Sequence, residues 1–343
     1  MRKTEHWEAA LLHRLVRVSS TLLVAAALTT ASPVDGGELS TLTAVRTAYS
    51  AISGTQTGLW VAVEAGDFRR EGLQVQLIYI AGAARVAQAM IAGDVQLATA
   101  GGEGVVAANA GGADLVYFGG IINVPAFGLV VSPRIRGVAD LRGRRMGITR
   151  FGASTDFTLR YALKRWGLEP QKDVTVLQLG GQPEILAALT AGHIDGGVFA
   201  EPFTTRAVRA GNTLLRDLGK EGIEFVHLGL VTRRAFLRSQ EAVVERFLKG
   251  YTRGVHRVFQ DRETALRVLA KYTRATDPEA LAAAYRYATS YIQRVPHPTL
   301  KGIQLVIDES PYPGARGMKA EQFVDTTVLR RLEDSGFLKQ FER

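Results

Sequence analysis

Two copies of one short pattern, 99 residues apart, constrain the fold of this 343-residue chain. Ala92-Gly93-Asp94-Val95 in the first copy aligns with Ala191-Gly192-His193-Ile194 in the second. In each copy, helix-favouring residues precede a glycine suited to a left-handed helix cap, and a β-branched residue then begins an apolar run. Each run ends in a turn that can start another helix. The pattern predicts two similar α/β lobes, with a ligand cleft where strand ends and helix starts face each other.

Strand and helix patterns alternate along the rest of the chain. From Leu42 to Ile121 they predict a βαβαβ run, and therefore a mostly parallel sheet flanked by helices. The similar apolar segments 127–131 and 228–232 are interpreted as the two crossover strands of a hinge, and the helical region after Arg234 is expected to pack on the first lobe. The predicted organisation is a signal peptide at 1–31, the N-terminal part of lobe 1 at 32–131, lobe 2 at 132–230, and a C-terminal helical part that completes lobe 1 at 231–343.

The N-terminus has the features of a secretory leader. Basic residues from Arg2 to Arg17 precede an apolar run at 18–28, and the small residues at 29–31 predict cleavage near Ala31. An uncleaved amphipathic start or a misassigned initiator Met is the alternative interpretation. Because no other stretch approaches 18 uninterrupted apolar residues, the mature protein is expected to have no transmembrane segment. An exported chain without cysteine fits the periplasm, where the mature protein is expected to reside.

Composition excludes several classes of site. The chain has no cysteine, which excludes disulfides, thiol nucleophiles, Cys-ligated metals and an acylated lipoprotein anchor. Its net charge of +9 favours anionic ligands or an anionic membrane face. The arginines are scattered, without a long basic block or an aromatic platform, so a nucleic-acid partner is not expected.

Enzyme and cofactor motifs fail on inspection. Residues 102–107 match the dinucleotide fingerprint G-x-G-x-x-A, but no acidic residue lies near 20 residues later to hold a ribose. Neither a phosphate-binding P-loop nor a G-x-S-x-G nucleophile elbow occurs. The four histidines of the mature chain are at least 29 residues apart, which gives no helical metal pair. No catalytic residue, metal or cofactor is therefore predicted.

Several segments, in order along the chain, resemble the sulfonate, nitrate and taurine binding proteins of ABC importers, a group that also includes thiamine-pyrimidine relatives. The segments are 58–73, 90–95, 140–148, 189–195 and 200–202. The resemblance extends from about Leu42 to the C-terminus. It implies a two-lobed, type II-like periplasmic binding fold that closes on a solute and delivers it to a membrane permease. Gln96 stands where an Asp is usual, and the cysteine-rich motif of the fungal pyrimidine-synthesising relatives is absent.

Turns that follow strands and start helices supply the candidate ligand-binding residues, because helix starts present free N–H groups and a positive dipole end. The candidates are Tyr49, Ser53, Thr55, Gln56, Arg85, Thr99, Gly101, Gly102 and Asn123 in lobe 1, and Gly152, Ser154 and Glu201 in lobe 2. Each polar candidate is also suited to cap its own helix, and for Glu201 the cap is favoured over contact with a ligand amine. Phe127 and Phe199 are expected to line an apolar flank of the cleft or to pack in the core.

The expected function is that of a monomeric, non-catalytic solute-binding protein. It would capture a small anionic or polar organic solute by hinge closure near Val130 and Val231, and deliver it to an ABC permease. Two alternatives stay open: an enzyme on the same fold that acts on a small aromatic or sulfur compound, and a sensing domain that docks on a membrane receptor. Sulfonate, nitrate, carboxylate and pyrimidine ligands are not distinguished.

Overall fold

The computed structural model describes residues 42–341, so the predicted signal peptide lies outside the described residues. Within this range the chain forms ten strands: β1 (Thr43–Tyr49), β2 (Leu73–Tyr79), β3 (Leu97–Ala100), β4 (Leu115–Ile122), β5 (Gly128–Val131), β6 (Arg145–Ile148), β7 (Thr175–Gln178), β8 (Gly196–Phe199), β9 (Thr213–Asp217) and β10 (Leu228–Arg233). The same range contains thirteen α-helices: α1 (Thr57–Glu64), α2 (Asp67–Arg70), α3 (Ala83–Ala92), α4 (Gly102–Ala110), α5 (Ser154–Arg165), α6 (Gln182–Thr190), α7 (Phe203–Arg209), α8 (Arg234–Ser239), α9 (Glu241–Gln260), α10 (Arg262–Thr273), α11 (Pro278–Tyr291), α12 (Leu300–Asp308) and α13 (Thr327–Asp334).

The strands form two five-stranded sheets with the same plan. The first sheet has the order β2-β1-β3-β10-β4, and the second has the order β7-β6-β8-β5-β9. In each sheet the fourth strand is antiparallel to both neighbours, β10 in the first and β5 in the second. The other pairings are parallel. The predicted α/β fold, with two mostly parallel sheets flanked by helices, is confirmed.

The two copies of the repeated pattern occupy equivalent places in the two sheets. Gly93 follows α3 with φ 83°, and Gly192 lies two residues after α6 with φ 72°. Both conformations are left-handed, which glycine adopts without a Cβ penalty. The strand that follows each copy, β3 or β8, is the central strand of its sheet. The repeat therefore marks the same helix–turn–strand unit in both halves.

The chain passes between the sheets twice. Residues 123–127 connect β4 to β5, and residues 218–227 connect β9 to β10. The two strands interpreted from sequence as a crossover pair are present, but they lie in different sheets and do not pair with each other. Both strands are apolar and almost fully buried, which suits an interior sheet position. The crossing itself is made by the two irregular segments that precede them, called here the crossing segments.

The C-terminal helices pack mainly on the first sheet and its helices. Helix α9 contacts α1 and α2, α12 contacts α4, and α13 contacts β4. The α9–α1 contact is close because Gly254 lies directly against Ala62. Phe68 stacks on Phe247 nearby, with ring centroids 4.7 Å apart. No helix in residues 42–341 is both long enough and apolar enough to cross a membrane.

Candidate functional site

A cavity lies where the carboxyl ends of parallel strands from both sheets face each other, and it is called here the cleft cavity. Its lining comes from the turns after β1, β2, β6 and β7, together with parts of both crossing segments and the start of β10. The lining residues are Ser50, Ala51, Ile52, Ser53, Thr55, Tyr79, Gly82, Ala83, Phe127, Thr149, Ala153, Ser154, Thr155, Gly180, Gly181, Gln182, His227 and Leu228. This is the position at which open α/β sheets place their ligands.

Three helices begin at this cavity. Helix α3 starts after Gly82, α5 after Ala153 and α6 after Gly181, and all three N-cap residues line the cavity. None of these three described N-caps is satisfied by a side-chain hydrogen bond. The first N–H groups of a helix have no partner within the helix, and the dipole adds positive potential at that end. The first sheet supplies one of these N-termini and the second sheet supplies two, so the cavity is suited to an anionic group held from both sides.

Hydroxyl groups supply most of the polar side chains around the cavity. Ser53 Oγ lies 2.8 Å from Thr55 Oγ1, and Thr149 Oγ1 lies 2.7 Å from Thr155 Oγ1. The described residues that line the cavity include no Asp, Glu, Lys or Arg. An anion in this cavity would therefore be attracted by N–H groups and hydroxyls, and not by a charged side chain of the lining.

His227 forms part of the wall on the second crossing segment. Its Nδ1 accepts a hydrogen bond of 3.1 Å from the Ala126 N–H, and its ring stacks on Phe127 at 4.3 Å between centroids. Burial lowers the pKa of His227 to about 3. The ring is therefore neutral at physiological pH and fixes the two crossing segments to each other.

Ser154 connects the cleft cavity to a buried carboxyl group. Its Oγ donates to Glu103 Oε2 at 3.1 Å, and it also lies 3.4 Å from the His227 carbonyl oxygen. Burial raises the pKa of Glu103 to about 8, although its hydrogen bond with Ser154 lowers that pKa in part. Ser154 starts α5 beside the second sheet and Glu103 lies in the first turn of α4 beside the first, so this contact links the two halves.

Some of the ligand-binding residues predicted from the sequence lie together in the wall of the cleft cavity. Ser53, Thr55 and Ser154 line the cleft cavity. Phe127 also lines it, which is one of the two positions expected for that ring. Gln56 and Thr99 are buried and do not line the cavity, and Thr99 Oγ1 donates to Gln56 Oε1 at 2.8 Å.

Tyr49 is also buried near the cavity. Its ring packs edge-on against Trp60 and lies 5.4 Å from the ring of Tyr79, which is a lining residue. Tyr49 therefore positions a wall of the cavity without lining it.

The remaining predicted residues lie elsewhere. Arg85 is exposed on α3, and Asn123 donates from Nδ2 to the His297 carbonyl oxygen. Glu201 accepts from the N–H and the hydroxyl of Thr205, so it caps its own helix, the role that the sequence favoured. Phe199 is fully buried and does not line the cleft cavity.

The three glycines of the predicted site serve packing or turns. A Cβ at Gly101 would collide with Ser154 Oγ, so this glycine permits close packing between the halves. A Cβ at Gly102 would collide with Val226 of the second crossing segment. The Gly102 N–H donates to the Val226 carbonyl oxygen at 3.0 Å and does not face the cavity. Gly152, with φ 71°, forms the turn before α5, and its N–H donates to Asp156.

Sequence reasoning missed the turn after β7 and two further residues, His227 and Arg150. Gly180 and Gly181 precede the start of α6, a signal equivalent to Gly82 before α3, and it was available in the sequence. The sequence around position 227 has no comparable turn before a helix, because only the path of the second crossing segment places His227 in the wall of the cleft cavity. Arg150 follows β6, and its side chain packs on Gly82. Arg150 Cδ would lie 3.2 Å from a Cβ placed on that glycine. Its Nε is buried without a partner among the described residues.

Comparison with known proteins decides the family. The family profile described as "NMT1/THI5 like" matches residues 54–265, which is more than half of the chain. The chain belongs to the NMT1/THI5-like family. The resemblance drawn from the sequence is therefore confirmed.

Two curated relatives are similar to parts of this member of the NMT1/THI5-like family. The taurine-binding periplasmic protein of Escherichia coli strain K12 is 30% identical over 172 residues, which are 48% of this chain and 52% of that protein. The 4-amino-5-hydroxymethyl-2-methylpyrimidine phosphate synthase of Schizosaccharomyces pombe is 28% identical over 146 residues, which are 42% and 40% of the two chains. The chain thus spans about half the length of the curated relatives it matches.

The fold of this family member also matches solved structures over nearly their whole length. The alkanesulfonate-binding protein SsuA from Xanthomonas axonopodis pv. citri, bound to MOPS, superposes with a TM-score of 0.68. The superposition covers 82% of this chain and 98% of that one, at 21% identity. At this identity the likeness establishes a shared fold.

Proposed function

We propose that this protein is the periplasmic solute-binding component of an ABC importer and captures a small anionic or polar organic solute, such as a sulfonate or taurine. The observation that carries the proposal is the convergence of three uncapped helix N-termini, from both sheets, on one hydroxyl-lined cavity. Family membership and the taurine-binding relative support the same class of ligand. The partner in this proposal is a membrane permease, and the protein acts as a monomer.

The size of the cleft cavity agrees with a small ligand. Its volume is about 50 Å³. A water molecule needs roughly 10–15 Å³ of such volume, so the cavity holds roughly three to five waters. A sulfonate or nitrate group fits this space, and a larger solute requires the two halves to separate slightly.

Ligand capture by hinge closure follows from where the cavity lies. Its walls belong to both sheets, so a bound solute contacts both and stabilises the closed arrangement. The crossing segments are the covalent links about which the halves can rotate. The halves also touch directly, because the Gly54 N–H donates to the Glu201 carbonyl oxygen at 2.7 Å and Lys164 pairs with Glu309 at 3.0 Å.

A second candidate function is catalysis, which the synthase relative favours. General acid–base chemistry requires a group with a pKa near the working pH. The titratable side chains among the residues lining the cleft cavity are Tyr79 and His227. Burial raises the pKa of Tyr79 above its usual value and lowers that of His227 to about 3. Neither of these lining groups titrates near neutrality. Glu103, with a pKa raised to about 8, adjoins the cavity only through the Ser154 hydroxyl, which supports binding without turnover.

Arg150 is the side chain whose removal tests the anion-binding proposal. The aliphatic part of its side chain packs on Gly82 at the start of α3, and its Nε is buried without a partner among the described residues, so an anion at this helix start gains a charge-assisted contact. Arg150→Ala is expected to weaken taurine or ethanesulfonate binding by roughly tenfold or more, as loss of such a contact costs about 1.5–3 kcal/mol. Isothermal titration of the mature chain measures it.

Arg85→Ala is the matched control, because Arg85 is exposed and does not line the cavity. It removes the same charge from the chain and should leave affinity within about twofold. Equal losses in both variants would contradict a local role for Arg150. After each titration, NMR of the recovered ligand decides between the two functions: intact ligand supports binding, and steady consumption would establish an enzyme.

A further inference from the structure

A second, larger cavity of about 460 Å³ lies on the other side of the Ser154–Glu103 contact. One wall is α5 beside the second sheet. The opposite wall is the end of α12 with the 309–312 segment, which packs with α4 beside the first sheet. The volume is within the range of about 300–1,000 Å³ for small-molecule pockets. No residue lines both this cavity and the cleft cavity.

Aromatic rings form much of the lining and two of them are exposed. Phe151 is 47% exposed and Tyr312 is 46% exposed, although both are large apolar side chains. Phe157 stacks on Tyr161 with centroids 5.9 Å apart, and Arg160 lies 5.6 Å over the Phe151 ring. Exposed aromatic surface that borders a cavity is typical of a binding site for an apolar ligand body.

The charged residues of this cavity leave an excess of carboxyl groups. Asp156 pairs with Arg160 at 2.5 Å, and Lys164 pairs with Glu309 at 3.0 Å. The two lining acids that remain, Glu103 and Glu169, have no cationic partner among the described residues. In a chain with a net charge of +9, this cavity thus keeps one unpaired carboxylate, at Glu169, beside the buried carboxyl of Glu103, and it favours a cationic ligand.

Glu103 provides the specific contact point. It is only 8% exposed, and Oε2 accepts the Ser154 hydroxyl, whereas Oε1 is buried without a hydrogen-bond partner within the described residues. A buried polar atom without a partner costs stability, and a ligand that donates to it recovers that cost. A primary ammonium group supplies such donors, and its positive charge favours the ionised form of the Glu103 carboxyl, which burial alone keeps protonated at pH 7.

We propose that this cavity is a second binding site, for a small aromatic amine whose ammonium group contacts Glu103 and whose ring lies against Phe151 and Tyr312. The ligand class differs from that of the cleft cavity in charge and in shape, so this site goes beyond the proposed transport function. Because its walls belong to both halves, an occupant also stabilises their closed arrangement.

The test uses 2-phenylethylamine as the probe and 3-phenylpropanoate as a matched acid of similar size. Both are titrated into the mature chain, with binding followed by calorimetry and saturation-transfer NMR. The amine is expected to bind and the acid to bind at least about tenfold more weakly. Glu103→Gln should weaken amine binding by roughly tenfold or more.

Tyr312→Ala and Phe151→Ala keep the test decisive if the Glu103 variant folds poorly, because both side chains are exposed. Each should weaken amine binding by roughly three- to tenfold through loss of ring contact and cation–π attraction. Arg85→Ala is the control and should bind the amine as the wild type does.

Three results would overturn the proposal: no amine binding at millimolar concentration, equal binding of amine and acid, or unchanged amine binding in the folded Glu103, Phe151 and Tyr312 variants. Displacement of the amine by taurine together with loss of binding in Arg150→Ala would also overturn it, since the amine would then occupy the cleft cavity. Taurine binding itself is measured separately, so failure of this site leaves the transport proposal standing, and the reverse also holds.

Discussion

At the scale of single residues, two buried titratable groups adjoin Ser154, and burial shifts their pKa values in opposite directions. Glu103 accepts the Ser154 hydroxyl and has its pKa raised to about 8, and His227 contacts Ser154 through its carbonyl oxygen and has a pKa of about 3. Both groups are therefore largely uncharged at pH 7. Desolvation disfavours the charged form of either side chain, so burial raises the pKa of an acid and lowers the pKa of a base.

Glu103 should make the protein less stable as pH rises. Its carboxyl binds a proton in the folded state at a pH where the unfolded chain, with a pKa near 4.5, has lost it. Its stabilising contribution is complete below about pH 4.5 and is lost as pH rises toward about 8. Glu103→Gln removes this titration, so the wild-type midpoint in urea should fall relative to that of the variant across this window. Parallel curves for the two proteins from pH 5 to 9 would show that Glu103 does not titrate as described.

At the scale of elements, the contact between α1 and α9 depends on the absence of a side chain at Gly254. A Cβ there would lie 2.7 Å from Ala62 Cα and 2.8 Å from Ala62 N, which are backbone atoms of α1. Helix propensity alone favours alanine over glycine by about 1 kcal/mol. Overpacking costs about 1–3 kcal/mol when the neighbour is rigid. The free-energy cost of overpacking at position 254 is therefore expected to exceed the gain in helix propensity.

Gly254→Ala is accordingly expected to lower the free energy of unfolding by up to about 2 kcal/mol despite its better helix propensity. For a domain of this size, that change lowers the melting temperature by several degrees. Gln260→Ala, at the exposed end of α9, serves as a control and should stay within about 0.5 kcal/mol of the wild type. A Gly254 variant as stable as the control would mean that α9 shifts to admit the methyl group. Calorimetric melting measures both.

The sequence predicted the elements better than the site. Gly93 and Gly192 signal a helix end and a strand start within a few residues, so local chemistry is enough to place those units. Ser53, Thr55 and Ser154 were found for the same reason, since each belongs to a turn between a strand and a helix. His227 was missed because long-range packing, and not its neighbours in sequence, brings it to the cleft. Arg150 lies in the same turn between β6 and α5 as Ser154, so its signal was available in the sequence. Arg85 was chosen for its charge, and the rotation of α3 leaves it exposed.

At the scale of the whole molecule, the two halves meet at a few small residues beside the cleft. Gly54 is one of these, because a Cβ there would lie 3.2 Å from the Ala284 carbonyl oxygen and 3.3 Å from that of Glu201. The first of these oxygens belongs to α11 and the second to the turn after β8. A larger side chain at this position would separate the halves without altering any residue charge.

Gly54→Leu is therefore expected to hold the molecule in a more open form and to weaken taurine binding, since part of the binding energy is then used to close it. Small-angle X-ray scattering should show a smaller radius of gyration on addition of taurine for the wild type, and less change for the variant. Gly137→Leu is the matched control, because a Cβ there meets no atom within 4 Å and its φ of −153° suits any residue. Identical scattering and affinity for the two variants would contradict closure at Gly54.

The donor-rich walls of the cleft cavity also bear on which oxyanions the protein can reject. Helix N–H groups only donate hydrogen bonds, and the described lining includes no carboxylate that could receive a proton from a bound solute. A sulfonate or nitrate is fully ionised and presents acceptors alone. Hydrogen phosphate retains an acidic proton, and among the described lining side chains the hydroxyl oxygens, which are weaker acceptors than a carboxylate, would have to accept it. Selection between oxyanions would thus depend on the protonation state of the solute as well as on its size, and phosphate would be held less well than a fully ionised oxyanion.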